Sequence, residues 1–178
     1  LYGQALGPTI ANPNGIYWID CGGGKLLVER SRIFGTLVVL NPGPGSAIAN
    51  GPIRMTPAKP GYPALMVNGN FSIRATPRML NEAETGVNFN PSNMPYEFNN
   101  PLANPTDIQN DDGYPSEIQG LVAVSGNLTF ENSPRLRGQV IVGLLHESVG
   151  HLGIFVSGKV AKKEHAQIVE VLKYIHQL

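Results

Sequence analysis

The chain has 178 residues, 42% hydrophobic and 15% charged, and its 13 basic and 13 acidic side chains give a formal net charge of zero. This length suits one domain that buries a hydrophobic core. The hydrophobic fraction excludes a disordered chain. The balanced charge disfavours nucleic acid as a partner. The 21 glycines and 15 prolines disfavour a helical bundle, because both residues destabilise helix interiors.

Three similar segments follow one another along the chain, and each comes after a short apolar stretch that predicts a strand. The segments are residues 24–40, 69–79 and 126–143, and the apolar stretches before them are 16–19, 64–67 and 121–124. The best-matched positions are Gly24 with Gly69 and Gly126, Val28 with Phe130, Arg32 with Arg135, and Gly35 with Gly138. Strands and glycine corners that recur in this way predict a mainly β fold, a parallel β-helix-like β-solenoid. A β-sandwich with similar hairpins is the alternative.

Two stretches interrupt this pattern inside the predicted solenoid domain, residues 1–157. Residues 43–63 are rich in proline and residues 81–116 in asparagine and proline, so both are predicted as loop insertions. The second contains an oxygen-rich cluster before Gly113, made of Asp107, Asn110, Asp111 and Asp112. Such clusters bind calcium in some loops, but this spacing is not that of an EF-hand, and a turn is the favoured interpretation.

The C-terminal segment differs from the rest. Residues 152–156 predict one more strand, and residues 158–178 predict an amphipathic helix that caps the terminal coil. Its apolar face carries Ile168, Val171, Leu172 and Ile175, and its polar face carries Glu164, Gln167, Glu170 and Lys173.

No complete catalytic or ligand-binding motif is present. His146 and His151 are five positions apart, whereas the two histidines of the zinc motif H-E-x-x-H lie four positions apart on a helix. A surface turn is therefore the favoured interpretation of residues 146–151. Ser46 and Ser125 lie outside any G-x-S-x-G elbow, and Gly22–Gly24 leads into a strand rather than a helix that would face a phosphate. Cys21 is the single cysteine, which excludes an intrachain disulfide and is typical of an inert thiol. We therefore predict no catalytic, cofactor-binding or metal-binding residue and no cofactor.

Several other residues receive structural interpretations. Asn70 and Asn127 fit glycosylation sequons but fall at matching positions of the similar segments. Trp18 lies within a predicted strand, where core packing is favoured over a role as a glycan-stacking platform alongside the tyrosines. We predict that Arg32, Arg78 and Arg135 recur at one corner, with Glu29 and Glu131 as partners.

The similar segments also carry a resemblance to a protein family. GIYWID, SRIFGTLVVLNPGPGS, YPALMVNGNFSI and GLVAVSGNLTF, within residues 1–143, resemble the extracellular region of β-helical, pilin-associated surface proteins of planctomycete-type bacteria. That resemblance implies a secreted or cell-surface structural role with no catalytic residues. It also implies self-association or pairing with other surface or pilus proteins, and membrane contact only through an anchor upstream of Leu1.

The tail carries a second resemblance. Residues 146–175, HESVGHLGIFVSGKVAKKEHAQIVEVLKYI, are similar to the C-terminal end of polyhydroxyalkanoate-synthase-related α/β-hydrolases. In that family the residue matching His151 is the catalytic base, but this chain lacks the nucleophile and acid that the mechanism requires. The expected function is therefore a non-enzymatic structural or assembly domain. The alternatives are a carbohydrate-active or ester hydrolase fragment and a glycan-binding module.

Overall fold

The computed structural model describes residues 1–89, 110–147 and 160–162, with only the backbone of 144–147 and 160–162. The predicted mainly β class is confirmed, because a 12-stranded sheet dominates the described part of the chain. Its short strands are β1 (Ala5–Leu6), β2 (Ile16–Asp20), β3 (Leu27–Val28), β4 (Arg32–Phe34), β5 (Thr36–Leu40), β6 (Ala47–Ile48), β7 (Arg54–Thr56), β8 (Pro63–Asn68) and β9 (Phe71–Ile73). A second sheet consists of β10 (Leu80–Asn81) and β11 (Gly113–Tyr114), with helix α1 (Glu82–Thr85) between them. The large sheet ends with β12 (Glu117–Phe130), β13 (Leu136–Glu147) and β14 (Val160–Lys162).

Three rows of strands make up the large sheet. The first row holds β3, β6 and β9, the second holds β1, β4 and β7, and the third holds β2, β5 and β8. The long strand β12 joins the rows, because its successive parts pair with β7, β8 and β9. The sheet is curled, and every pairing between its described strands is parallel, in contrast to the antiparallel hairpins of a sandwich.

The core consists of apolar residues that share register positions on neighbouring strands. Four such positions run through the sheet with every side chain at most 5% exposed: Val28, Ile48, Ile73 and Phe130; Ile33, Met55, Ile118 and Leu136; Leu37, Leu65, Val122 and Val140; and Val39, Val67, Val124 and Val142. Side chains from all three rows belong to one cluster. Burial of each contributes about 1.5–3 kcal/mol, so this core is the main source of stability.

Glycines permit the close approach of successive chain segments between the second and third rows. A Cβ atom on Gly35 would lie 2.1 Å from the carbonyl oxygen of Gly15, and one on Gly138 would lie 2.1 Å from that of Gly120. Since any side chain would collide with backbone there, these corners require glycine.

The prediction that residues 43–63 form a loop insertion is wrong in part. Strands β6 and β7 lie inside this stretch and pair in parallel within the first and second rows. Each is only two or three residues long, which is too short to show period-2 alternation. All prolines of this stretch except Pro63 occupy the connections between strands. Pro63 is the first residue of β8, a position that proline tolerates.

The other predicted boundaries also change. The 81–116 stretch contains most of the small sheet and α1, while residues 90–109 lie outside the described residues. The prediction of a helix over residues 158–178 is wrong at its N-terminal end. Residues Val160–Lys162 form strand β14, which pairs with β13 and extends the third row. The remainder of that predicted helix, residues 163–178, and the predicted strand 152–156 lie outside the described residues.

Candidate functional site

The small sheet and α1 place a group of ionisable side chains against the second row. Asn81 caps α1, since its side chain accepts the backbone N–H of Ala83 at 2.9 Å. The helix ends at Gly86, which adopts a φ of 68° that favours glycine. This short helix lies between β10 and β11, and it positions Glu82 close to Tyr114 of β11.

Glu82 is fully buried, an unusual environment for a carboxylate. One oxygen accepts the backbone N–H of Phe89 at 2.6 Å and the hydroxyl of Tyr114 at 3.3 Å, and the other accepts the N–H of Asp112 at 3.3 Å. Burial raises the pKa of Glu82, although its two backbone hydrogen bonds act in the opposite direction. Hydrogen bonds of this one carboxyl group therefore connect Phe89, Asp112 and Tyr114 within the insertion, residues 81–116.

Arg32 of β4 lies beside this carboxyl group and is also buried, with 1% of its surface exposed. Its guanidinium stands 3.9 Å from the ring centroid of Tyr114, and Nη1 donates to the carbonyl oxygen of Phe89 at 3.3 Å. Burial lowers the pKa of Arg32 to about 8, while Tyr114 and Glu82 favour the charged form. The pKa of Tyr114 is raised, chiefly by burial. Arg32 thus connects the sheet to the insertion.

A line of charges continues from Arg32 along the second row. Arg32 pairs in register with Arg54, and Arg54 with Glu117 of β12. Arg54 forms a hydrogen-bonded ion pair with Glu117, and Arg137 lies 3.9 Å from the same carboxylate. Glu117 therefore stabilises the pairing of its strand with β7, whereas Arg32 and Arg54 are like charges on adjacent strands and Arg54 helps to lower the pKa of Arg32.

This cluster anchors the insertion to the sheet. Its groups bind one another and backbone, and among the side chains described, those of residues 1–89 and 110–143, no three metal-ligating groups come together. The sequence pattern predicts Arg32 only as one of three arginines at a shared corner, and it predicts no role for Glu82, Phe89 or Tyr114. The available signal was Asn81 directly before Glu82-Ala-Glu-Thr, which is a helix N-cap pattern.

The two serines considered as nucleophiles have structural contacts. Ser46 Oγ accepts the N–H of Leu26 at 3.0 Å and donates to the carbonyl of Gly43 at 2.7 Å. Ser125 Oγ accepts the N–H of Gly69 at 2.9 Å and donates to Asn68 at 3.1 Å. Each hydroxyl joins two adjacent chain segments.

The turn after β2 has an equally structural arrangement. Asp20 accepts the N–H of Gly22 at 2.9 Å and the side-chain amide of Asn41 at 3.0 Å, and both bonds lower its pKa. Burial and the nearby Asp20 charge raise the pKa of Cys21, which disfavours the reactive thiolate. The Gly22–Gly24 turn leads towards β3, and no helix of the described part of the chain begins beside it.

The three arginines predicted to share a corner are in different environments. Arg32 is buried and Arg135 is exposed, whereas Arg78 pairs with Glu84 at 3.3 Å. The ion pairs between described residues join Arg30, Arg54, Arg78 and Arg137 to Glu84 and Glu117, so none involves Glu29 or Glu131. The predicted Glu29 and Glu131 partnership is therefore wrong for the residues described.

Two further predictions concern asparagine and tryptophan. Asn70 accepts the backbone N–H of Asn127 at 2.8 Å, so the first sequon asparagine supports the next chain segment. Trp18 is 69% exposed, and the expectation that it packs in the core is wrong. Its neighbours Tyr17 and Ile19 pack against the core, and alternation along β2 directs Trp18 to the opposite face.

The remaining candidates lie partly outside the described residues. His146 and Glu147 end strand β13, so the predicted surface turn does not begin at His146. His151 and Asp107 lie outside the described residues. Asp112, the last member of the predicted oxygen-rich cluster, accepts the hydroxyl of Tyr114 at 3.1 Å.

Comparison with known proteins identifies relatives for part of the chain. Residues 118–178 match a family described as "Protein of unknown function (DUF3141)". The "Uncharacterized protein in ackA 5'region" of Rhizobium meliloti is 50% identical over 44 residues, which are 25% of this chain and 6% of that protein. No solved structure matches significantly. The chain therefore spans only a small part of that relative.

A search of the described residues for membrane-crossing helices found none of sufficient length and hydropathy.

Proposed function

We propose that this chain is a non-enzymatic structural domain, a parallel β-solenoid that assembles with other copies of itself. The parallel register supports this proposal, because Val28, Ile48, Ile73 and Phe130 occupy one position on successive strands. The matched residues Arg32 and Arg135 also lie on one row. Arg32 pairs in register with Arg54, and Arg54 with Glu117. Arg135 comes next, because the residues that follow Glu117 and Arg135 along the chain pair with each other. Coils stacked in this way extend by adding further strands.

The observation that carries the assembly proposal is the open edge of β2. Among the residues that the structure describes, this strand ends the third row and pairs only with β5. The N–H of Cys21 donates to the carbonyl oxygen of Leu40, and the carbonyl oxygen of Gly15 accepts the N–H of Thr36. Gly15 and Cys21 flank β2 and are both odd-numbered, so the backbone groups of the odd-numbered residues in β2 also point towards β5. Even-numbered residues face the other edge, where the Asn12 side chain bonds both backbone groups of Ile16. Trp18 presents its backbone N–H to the same edge.

The apolar interior is incompletely covered at this end of the sheet. Leu6, Tyr17, Ile19 and Leu26 pack against the main core but are only partly buried. An open backbone edge beside partly exposed core side chains is the type of surface to which another strand adds. A second copy offers the same backbone edge and apolar end, so we assign it as the partner.

The proposed location is secreted or at the cell surface, in a pilus-like assembly, with other surface or pilus proteins as further partners. Its support is the resemblance of residues 1–143 to β-helical surface proteins. We propose neither nucleic acid as a partner nor a cofactor, in line with the zero formal net charge.

The test measures association of the full chain by light scattering and electron microscopy over a concentration series. Trp18→Pro removes the open-edge N–H without removing a bond to β5, and proline is tolerated on edge strands. Trp18→Ala is the matched control, because it removes the ring and keeps the N–H. We expect dimers or filaments for the parent and Trp18→Ala, and about tenfold weaker association for Trp18→Pro. A parent that stays monomeric at high concentration would contradict the proposal.

Exposure of Trp18 favours glycan binding as a second candidate function. Aromatic rings that are open to solvent stack on sugar faces, and Trp18 is 69% exposed. In a glycan-array screen, binding lost in both Trp18→Ala and Trp18→Pro would support this candidate. The absence of a bound glycan in the parent would reject it.

A further inference from the structure

An apolar strip runs along the outward side of the third row. Trp18, Val38, Met66, Ala123, Ile141 and Ala161 occupy one register position on six successive strands. Leu37 and Val39 belong to the main core, so Val38 between them faces the opposite side of the sheet. We call this register position the outer strip.

The middle of the outer strip is covered, whereas one end is open. Val38, Met66 and Ala123 are only 3%, 1% and 5% exposed, and they form a cluster separate from the main core. Trp18, at the end of the strip, is 69% exposed. Neighbours on the same sheet face shield the sides of a side chain but leave its tip open. Burial this complete therefore requires a layer above Val38, Met66 and Ala123.

We propose that the outer strip is the docking surface for the amphipathic segment 163–178 of the same chain. This segment lies outside the described residues, but the point from which it starts is described. Strand β14 ends at Lys162, and its Ala161 occupies the last position of the outer strip. The segment therefore begins at the end of the strip opposite to Trp18.

The dimensions of the strip and the segment agree. Parallel strands lie about 4.8 Å apart, so four steps from Ala161 to Val38 span about 19 Å, and the fifth step to Trp18 reaches about 24 Å. Sixteen residues in a helix are about 24 Å long, and a connecting turn shortens this to about 20 Å. Such a helix covers Ala123, Met66 and Val38 and ends before Trp18. This agrees with the burial of those three side chains and the exposure of Trp18, while Ile141, next to Ala161, is only partly buried at the end where the connecting turn begins.

The chemistry of the two surfaces also agrees. Ile168, Val171, Leu172 and Ile175 form the predicted apolar face of the segment, and its opposite face is charged or polar. The outer strip contains no charged side chain. Docking on the side of the sheet replaces the capping position expected from the sequence, and it is independent of self-association through β2.

The first experiment measures how well the full chain protects a thiol placed in the strip. Cys21→Ser removes the native thiol, and Ala123→Cys introduces a reporter of similar size. Leu172→Asp then places a charge on the apolar face of the segment, whereas Lys173→Asp is the matched change on the polar face. We expect modification of the reporter to become about tenfold faster with Leu172→Asp, because a charge on the apolar face weakens the contact that covers the reporter. Lys173→Asp should change the rate less than twofold.

A disulfide scan identifies what covers the strip without relying on a disruptive variant. Cysteines introduced singly at positions 168, 171, 172 and 175 are oxidised in the presence of Ala123→Cys, and those at 167, 170 and 173 serve as controls. Disulfides need Cα atoms within about 7 Å. We therefore expect an intramolecular bond from at least one apolar-face position and from none of the controls. Bonds that link two chains would identify a second copy as the cover and overturn the proposal. The absence of any bond, or a reporter rate unchanged by Leu172→Asp, would also overturn it.

Discussion

Glu82 is the residue whose contacts predict the clearest single-site effect. Glu82→Ala leaves the N–H groups of Phe89 and Asp112 without this acceptor, while the Tyr114 hydroxyl keeps Asp112 as its acceptor. The substitution also removes a carboxyl group that favours the charged form of Arg32. We expect a loss of about 2–4 kcal/mol in the free energy of unfolding, measured by urea denaturation. The control is Glu84→Ala, because Glu84 lies two residues away and its side chain is 42% exposed. That change should cost less than about 0.5 kcal/mol. Equal losses would show that Glu82 is not an anchor.

The pKa of Glu82 predicts a pH dependence with a definite sign. Its folded-state pKa is raised above the ordinary 4.5, chiefly by burial. The folded protein therefore binds this proton more tightly than the unfolded chain, and the resulting stability is complete below pH 4.5 and lost as pH rises through the folded pKa. Glu82→Gln removes the titration. Relative to the parent, this variant should gain stability between pH 4 and pH 7 in denaturation experiments. A constant difference across this range would contradict the raised pKa.

At the scale of elements, the close approach of chain segments at their corners predicts a strong effect of small substitutions. Gly35→Ala places a Cβ atom 2.1 Å from the carbonyl oxygen of Gly15, so the two segments must separate. We expect a loss of about 3 kcal/mol in the free energy of unfolding. Gly22→Ala is the control, because a Cβ there meets nothing within 4 Å and suffers only from its φ of 54°. It should cost about 1 kcal/mol. If thermal denaturation shows the same loss for both, strand contact is not the reason for Gly35.

The elements also show which parts of the fold a sequence can predict. Strands β2, β8 and β12 follow from apolar stretches, and Gly35 and Gly138 lie at predicted corners. Strands β6 and β7 are too short to carry a period, and neighbouring strands rather than local propensity define them. The cluster of Arg32, Glu82 and Tyr114 was not predicted because its members are up to 82 residues apart and meet only through the folded insertion. Burial of charged residues depends on such long-range packing, which local patterns do not report.

At the scale of the whole molecule, stability should decrease from the middle of the sheet towards the edge at β1 and β2. A sheet built from stacked segments gains stability from contacts between neighbours, and an end segment has only one neighbour. Met55 is fully buried between Ile33 and Ile118, whereas Leu6 is partly buried at the end of the same register position. We expect Met55→Ala to cost about 3 kcal/mol and Leu6→Ala about 1 kcal/mol in the free energy of unfolding.

Hydrogen exchange followed by mass spectrometry connects this gradient to the proposed assembly. Peptides covering β1 and β2 should exchange faster than those covering β5 and β8, because the end segment opens without disrupting the rest. If a second copy adds to the open edge, protection of β2 must rise with protein concentration, while protection of β8 stays constant. Trp18→Pro should remove this concentration dependence, since it lacks the N–H that faces the edge. Uniform protection of β2 and β8 at every concentration would contradict both the open edge and the stacking that we derive from it.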